Sequence, residues 1–254
     1  MEQKAGREEI RNPKAEIRLV FPVLAKAAAL VLEYRVPIVG YILVAILGYF
    51  LGSVPSGFLL AKARGIDIRS VGSGNIGATN VSRSLGKAAG ILVLLVDVLK
   101  GWIAVVLLAT LVSTWFGIET EGPAREWFRI CAGLGAILGH NFTCWLHFKG
   151  GKGIATSAGF LLALVPGALL IIFGLWVAVF ALTRYVSVAS ISACIALPFA
   201  SWVTGRSSTM ILVTAAMSVL GIFQHRANIK RLLEGTESRF GSKPAPPSHT
   251  PSAS

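Results

Sequence analysis

Charge is scarce in this chain, and metal-binding spacing is missing from it. Only 14% of the 254 residues are charged while 54% are hydrophobic, and the mean hydropathy is +0.69, values that exclude an ordinary soluble globular domain. The three cysteines, Cys131, Cys144 and Cys194, show no C-x-x-C spacing and lie in or beside apolar runs. They read as buried inert thiols, not as metal ligands or a disulfide framework. His140 and His147 are two helical turns apart, ~10 Å, too far to chelate one metal, so no metal is expected. No uninterrupted apolar stretch with a small-residue cleavage site follows the amino-terminal charges, which argues against a signal peptide. Acidic residues are also few: 24 basic against 12 acidic side chains leave a formal charge of +12. In an apolar chain that excess suits anionic lipids or substrates better than nucleic acid.

What the sequence has in abundance is long apolar runs. Residues 36–61 and 88–117 each exceed the ~20 helical residues needed to cross a hydrocarbon core ~30 Å thick. Between them "VGSGNIGATNVSRSLGK" matches the dinucleotide-binding pattern G-x-G-x-x-G at Gly72, Gly74 and Gly77. That pattern needs a preceding strand and a soluble βαβ unit. Two flanking membrane helices leave no room for one, so the glycines are expected in a short polar loop.

Further apolar runs cover residues 127–146, 154–182, 186–204 and 209–224. The second of these would be ~43 Å long as one straight helix, and Pro166-Gly167 near its middle predicts a break. The fold expected is an all-α integral membrane protein of about seven transmembrane helices, some short or broken. The basic residues of loop 61–88, of "FKGGKG", of Arg184 and of "HRANIKRLLEG" then share one side. The positive-inside rule makes that side cytoplasmic, and "outer" residues Glu119, Glu121 and Glu126 fall opposite. The chain divides into a charged extension (1–35), flexible or lying on the surface, a membrane domain (36–240), and a disordered Pro/Ser-rich tail (241–254).

Three polar segments meet on the basic side. The first offers Ser73, Gly74, Asn75, Gly77, Thr79, Asn80 and Arg83; the second offers "GHNF" and "FKGGKGIATS", including Lys149, Gly150, Gly151, Lys152 and Gly153; the last offers His225, Asn228, Arg231 and Glu237. Backbone amides freed by glycine, hydroxyl and amide donors, and Arg or Lys charge make chemistry for holding phosphate. Each piece has a plainer reading. "GGKG" is not a Walker A loop and alone is a flexible basic turn. Asp97 and Lys100, i,i+3 within a span, pair with each other. Arg184 and Tyr185 serve as ordinary interface anchors. Convergence on one face raises the phosphate reading above these.

"SGNIGATNVSRSLGKAAG", "GHNFTCWLHFKGGKGIATSAG" and "HRANIKRLLEGTE" together resemble the three motifs of the bacterial acyl-phosphate:glycerol-3-phosphate acyltransferase family (PlsY), and "D-x-x-K-G" at Asp97, Lys100 and Gly101 resembles it too. The likeness runs in order from about residue 48 to 237. Thr143 stands where the family commonly has proline, a departure that bears on loop shape. The resemblance implies a seven-helix enzyme of the bacterial cytoplasmic (inner) membrane, its active site facing the cytoplasm. It would move a fatty acyl group from acyl phosphate to the 1-hydroxyl of glycerol 3-phosphate, giving lysophosphatidic acid and phosphate, the first step of phospholipid synthesis. Its partners would be those two substrates and membrane lipid, with no cofactor, metal or nucleic acid.

On that basis Ser73, Arg83, Lys152, His225 and Asn228 are the expected catalytic residues. Gly74, Asn75, Gly77, Thr79, Asn80, Lys149, Gly150, Gly151, Gly153 and Ser190 are expected to bind the substrate phosphates. His225 either orients the acceptor or acts as a base, and the leaving phosphate could itself take the hydroxyl proton. The competing class is a transporter of a phosphorylated metabolite, since broken helices aimed at anions also mark transporters. No internal repeat relates the two halves of the chain, which counts against it.

Overall fold

The computed structural model describes residues 38–118 and 121–241, all helices, turns and loops among the described residues. The extension 1–35, the tail after Gly241 and Glu119 lie outside them. Helix α1 (38–53) meets α2 (Ser56–Lys62) at Pro55. Then come α3 (Ala78–Leu85), α4 (Lys87–Ile103), a π-helical turn (Ala104–Leu108), α5 (Ala109–Trp115), α6 (Pro123–Asn141) and a 3-10 turn (Cys144–Leu146). The chain ends with α7 (Ile154–Leu164), α8 (Pro166–Thr183), α9 (Val186–Val203), α10 (Ser208–Gln224) and α11 (Arg226–Leu233).

Helix contacts here rest on close approach of backbones, because apolar side chains gain little from leaving lipid for each other. Gly48 and Gly52 of α1 lie on the carbonyls of Ala132 and Ala136 in α6, and Gly135 and Gly139 of α6 lie on Ala45 and Tyr49 of α1; a Cβ at any of the four would collide with backbone. The same device joins α4 to α7, where Gly101 meets the carbonyl of Thr156 and Gly159 that of Val98. The outward faces stay apolar: α8 carries no charged residue, and its Leu170 and Phe173 are exposed, as lipid contact requires.

The predicted break in residues 154–182 is present, with α7 ending at Leu164 and Pro166 opening α8. Among the described residues four helices are long and apolar enough to cross a membrane: Ile38–Lys62, Lys87–Trp115, Pro166–Thr183 and Val186–Val203. The pair α10–α11, bent by 53°, counts as a fifth only if the two are one span. α6 has Arg125, Glu126 and Arg129 in its first turns, and α7 at 11 residues rises only ~16 Å.

Two sequence expectations need correcting. The third apolar run does not continue as a helix to residue 146: α6 stops at Asn141, because the following chain folds back and the N–H groups of Gly150 and Gly151 cap the carbonyls of Asn141 and His140. The segment between the first two spans is not loop alone. Gly77 is the N-cap of α3, an amphipathic helix that buries Asn80 and Val81 and lays Ser82 against Gly90 of α4.

The loops sort into two faces. At one, Tyr41 Oη donates to the carbonyl of Ala124 at 3.3 Å and Arg129 donates to that of Ala163 at 3.2 Å. At the other, Arg83 donates to the carbonyl of Ser238 at 3.0 Å and the Phe240 N–H to that of Arg184 at 2.8 Å. The three polar segments share this second face.

Candidate active site

The first segment is a turn built around one buried amide. Asn80, 2% exposed, accepts the Ser73 N–H at 2.9 Å and donates to the carbonyls of Ile68, Val71 and Asn75 at 3.2, 3.0 and 2.9 Å. Gly72 and Gly74 have φ of +59° and +70°, the left-handed region that glycine enters without strain. Asn75 Oδ1 accepts the Gly77 N–H at 2.8 Å. The amides of Ser73, Gly74 and Gly77 are therefore engaged inside the turn. The open first turn of α3, at Ala78 and Thr79, has no side-chain cap and points the helix's unmatched N–H groups outward.

The second segment lies on the end of α6. Beyond their capping N–H bonds, Gly150 and Gly151 are glycine because a Cβ would strike the His140 carbonyl and its Nε2 respectively. The chain then turns at Gly153 (φ +78°), whose Cα rests on the Asn141 amide. Lys152 is carried between these two fixed points. The third segment is organised by Glu237, which accepts from Ser187 Oγ at 2.7 Å, Asn228 Nδ2 at 2.6 Å and Arg231 Nε at 2.7 Å. His225, 2% exposed, has its Nδ1 2.7 Å from the Gly221 carbonyl; Nδ1 therefore carries the proton and Nε2 is left as an acceptor.

These segments enclose one cavity of about 1310 Å³. Its chemistry changes with depth along α8, α9 and α10. Along α9 the lining runs from Ser187 and Ser190 to Ala193, Cys194 and Leu197; along α8 from Trp176 to Phe173, Ile172 and Leu169; along α10 from His225 to Leu220 and Met217. A polar mouth thus leads into a wholly apolar slot.

Electrostatically the mouth is short of anions. Arg83, Lys87, Lys152, Arg231 and Arg239 line the cavity against two carboxylates, Glu237 and Asp97, and Asp97 is already paired with Lys100. Burial, reinforced by Arg231 and Arg83 against the opposing pull of Glu237, brings Lys152 down to about 8. Burial also lowers Arg83, with Glu237 opposing. His225 is lowered to about 4 by burial and by Lys152. Glu237 is raised by burial but ends below the usual carboxylate range, because Ser187, Asn228 and Arg231 hydrogen-bond it. Desolvated cations that outnumber their counter-charges favour a bound anion.

Of the residues singled out in the sequence, Ser73, Asn75, Gly77, Thr79, Asn80, Arg83, Lys152, Gly153, Ser190, His225 and Asn228 line this cavity. Gly74, Lys149, Gly150 and Gly151 do not: Lys149 is exposed and the two adjacent glycines pack on α6. Asn80 has its amide occupied by the turn, so it shapes the wall. Ser190 accepts a hydrogen bond from Trp176 Nε1 at 3.1 Å. Sequence reasoning gave no role to Asn141, which lines the cavity with both amide atoms buried and unpartnered, nor to Ser187. It named Glu237 without seeing that it ties α9 to α11. The expected pairing of Asp97 with Lys100 is present at 2.9 Å.

A family model described as "Glycerol-3-phosphate acyltransferase" matches residues 42–235. A glycerol-3-phosphate acyltransferase of Synechococcus sp. (strain JA-3-3Ab) is 45% identical over 203 residues, covering 80% of this chain and 94% of that protein. One from Geobacter sulfurreducens is 45% identical over 192 residues, covering 76% and 93%. Among solved structures, PlsY (YgiH), an integral membrane glycerol 3-phosphate acyltransferase, is similar in its glycerol 3-phosphate form: TM-score 0.69, 41% identity, 79% of this chain and 96% of that one. Its lysophosphatidic acid form gives 0.68 and 40%, with 79% and 95% covered.

Proposed function

The chain belongs to the glycerol-3-phosphate acyltransferase family, and from that membership we propose that its cavity transfers a fatty acyl group from acyl phosphate to the 1-hydroxyl of glycerol 3-phosphate. Lysophosphatidic acid and inorganic phosphate leave. The observation that carries this reading is the excess of cations over carboxylates at a mouth continuous with an apolar slot. One end suits two phosphates and the other an acyl chain.

An acyl phosphate is already activated, so the protein mainly has to hold two anions together and orient the attack. The acceptor oxygen bonds to the acyl carbon, the acyl–phosphate C–O bond breaks, and the phosphate takes the electron pair. Arg83, Lys152 and Arg231 offset the crowded negative charge, with Ser73 and the first turn of α3 donating to phosphate oxygens. His225, held to about 4, is a weaker base than a phosphate dianion, whose conjugate acid has a pKa of about 6. The leaving phosphate therefore takes the hydroxyl proton, while His225 Nε2 and Asn228 orient the acceptor.

We place the enzyme in the bacterial inner membrane with seven crossings and this cavity toward the cytoplasm, from the basic residues gathered on its face. The membrane domain is taken as 36–240, flanked by the charged extension and the Pro/Ser-rich tail. A donor exchange on the purified protein tests the reaction. Acyl phosphate should support lysophosphatidic acid formation with stoichiometric phosphate release, and acyl-CoA and acyl carrier protein should not. Equal rates from a thioester donor would rule out the proposed donor.

A further inference from the structure

On the cavity wall, but outside the groups assigned to the reaction, lies a buried cluster of Asp97, Lys100, His140 and Ser56, of which Asp97 and His140 line the cavity. Asp97 and Lys100 are 1% and 5% exposed. Ser56 Oγ donates to Asp97 Oδ1 at 2.7 Å, and Lys100 Nζ is 2.9 Å from the same oxygen, 3.2 Å from the Val54 carbonyl and 2.8 Å from His140 Nδ1. An ammonium has three donors and no acceptor, so these three partners use all of its protons and the facing histidine nitrogen must accept. The opposite edge of the ring, at Nε2, is covered by Gly151, and the His140 carbonyl receives the Gly151 N–H at 2.9 Å. His140 is thus clamped between a buried lysine and the chain that bears Lys152.

Burying an ion pair in a membrane protein is costly and contributes little net stability. Helix packing would not require it, since α4, α6 and α7 already meet through glycine contacts. We propose that His140 is a positioning residue, and that the Asp97–Lys100–Ser56 cluster fixes its ring so that the Gly150–Gly151 turn presents Lys152 at the right height in the cavity. This rests on the reading that Lys152 engages substrate phosphate.

The test is a double-mutant cycle in membrane-reconstituted full-length protein, reading kcat and KM for glycerol 3-phosphate and the pH profile. A displacement of about 1 Å at a reacting centre can cost about a hundredfold, so His140→Leu, which removes the acceptor facing Lys100, should lose at least about tenfold in kcat/KM. It should also move the alkaline limb that Lys152 sets among Glu237, Arg231, Arg83 and His225. His140→Asn, whose amide oxygen can occupy the place of Nδ1, should recover most of the loss. In a Lys152→Ala background His140→Leu should cost little more, because the group it positions is gone. If His140→Leu does not fold, Gly151→Ala displaces the same contact from the loop side and should show the same non-additivity with Lys152→Ala. Full additivity, or an alkaline limb unmoved in every variant, would overturn the positioning role. A Lys152→Ala enzyme with normal activity would instead overturn the reading beneath it.

Discussion

Two glycine-rich segments border the cavity, and they need glycine for different reasons. In "GSGNIG" the requirement is conformational: Gly72 and Gly74 hold positive φ so that the turn can wrap around the Asn80 side chain. In "KGGKG" the first two glycines have no positive φ and are required by contact, lying on the His140 carbonyl and ring; Gly153 combines both demands, as Gly72 does against the Asn80 amide. Neither pair of glycines brings its own backbone to the cavity wall, except Gly72. The similar compositions support phosphate binding at one remove, by aiming α3 in one case and Lys152 in the other.

That contrast can be broken by substitution. The largest effect is expected from Gly151→Val, where a branched side chain meets the His140 ring. Misplacing Lys152 by about 1 Å should lower kcat/KM about a hundredfold, measured beside a melting curve to confirm folding. Asn80→Ala comes next. It removes one acceptor and two N–H donors that the first turn shares among four backbone groups, and at a net 0.5–1.5 kcal/mol per hydrogen bond, only partly realised as activity, about a tenfold loss is expected. Near-wild-type activity would show that the turn holds its shape without the amide.

A pH profile sharpens the second half of the comparison. Lys152 is protonated below about 8 in the free enzyme, so kcat/KM should fall by about tenfold per unit as pH rises beyond that value. Saturating phosphate ligands favour the ammonium form, which moves the corresponding limb of kcat upward. Lys152→Arg should push the limb out of range, and a limb that stays near 8 in that variant would assign it to another group. Smallest of all should be Lys149→Ala, three residues away but exposed and off the cavity wall. A loss above about threefold there would mean that surface charge recruits the substrate.

The spans were legible because apolar runs of membrane length have few other uses, and Pro166 announced the break between α7 and α8. The end of α6 was not legible: nothing between Asn141 and Leu146 is polar enough to stop a helix, and the stop comes from Gly150 and Gly151 folding back on it. α3 escaped notice because its eight residues are mostly polar and bury only Asn80 and Val81. Site residue types were readable, since phosphate calls for Arg, Lys and small donors, and most of them meet in one cavity. Which glycines face that cavity was hidden, because spacing alone does not distinguish a positive φ from a close contact. Glu237 stood in the third segment in plain view, but its partners Ser187 and Asn228 are 50 and 9 residues away.

The most direct test of the phosphate-holding mouth is the turnover of Lys152→Ala with glycerol 3-phosphate and acyl phosphate both saturating, run beside Lys62→Ala. Lys62 is exposed and off the cavity wall on the same basic face. If Lys152 stabilises charge in the transition state, its loss removes a charge-assisted contact of about 1.5–3 kcal/mol. That corresponds to roughly a ten- to hundredfold drop in kcat, while Lys62→Ala stays within about twofold of the parent. Folded, membrane-inserted Lys152→Ala enzyme with near-normal turnover, alongside an impaired Lys62→Ala, would contradict the assignment and make the basic residues recruiters of anions to the surface.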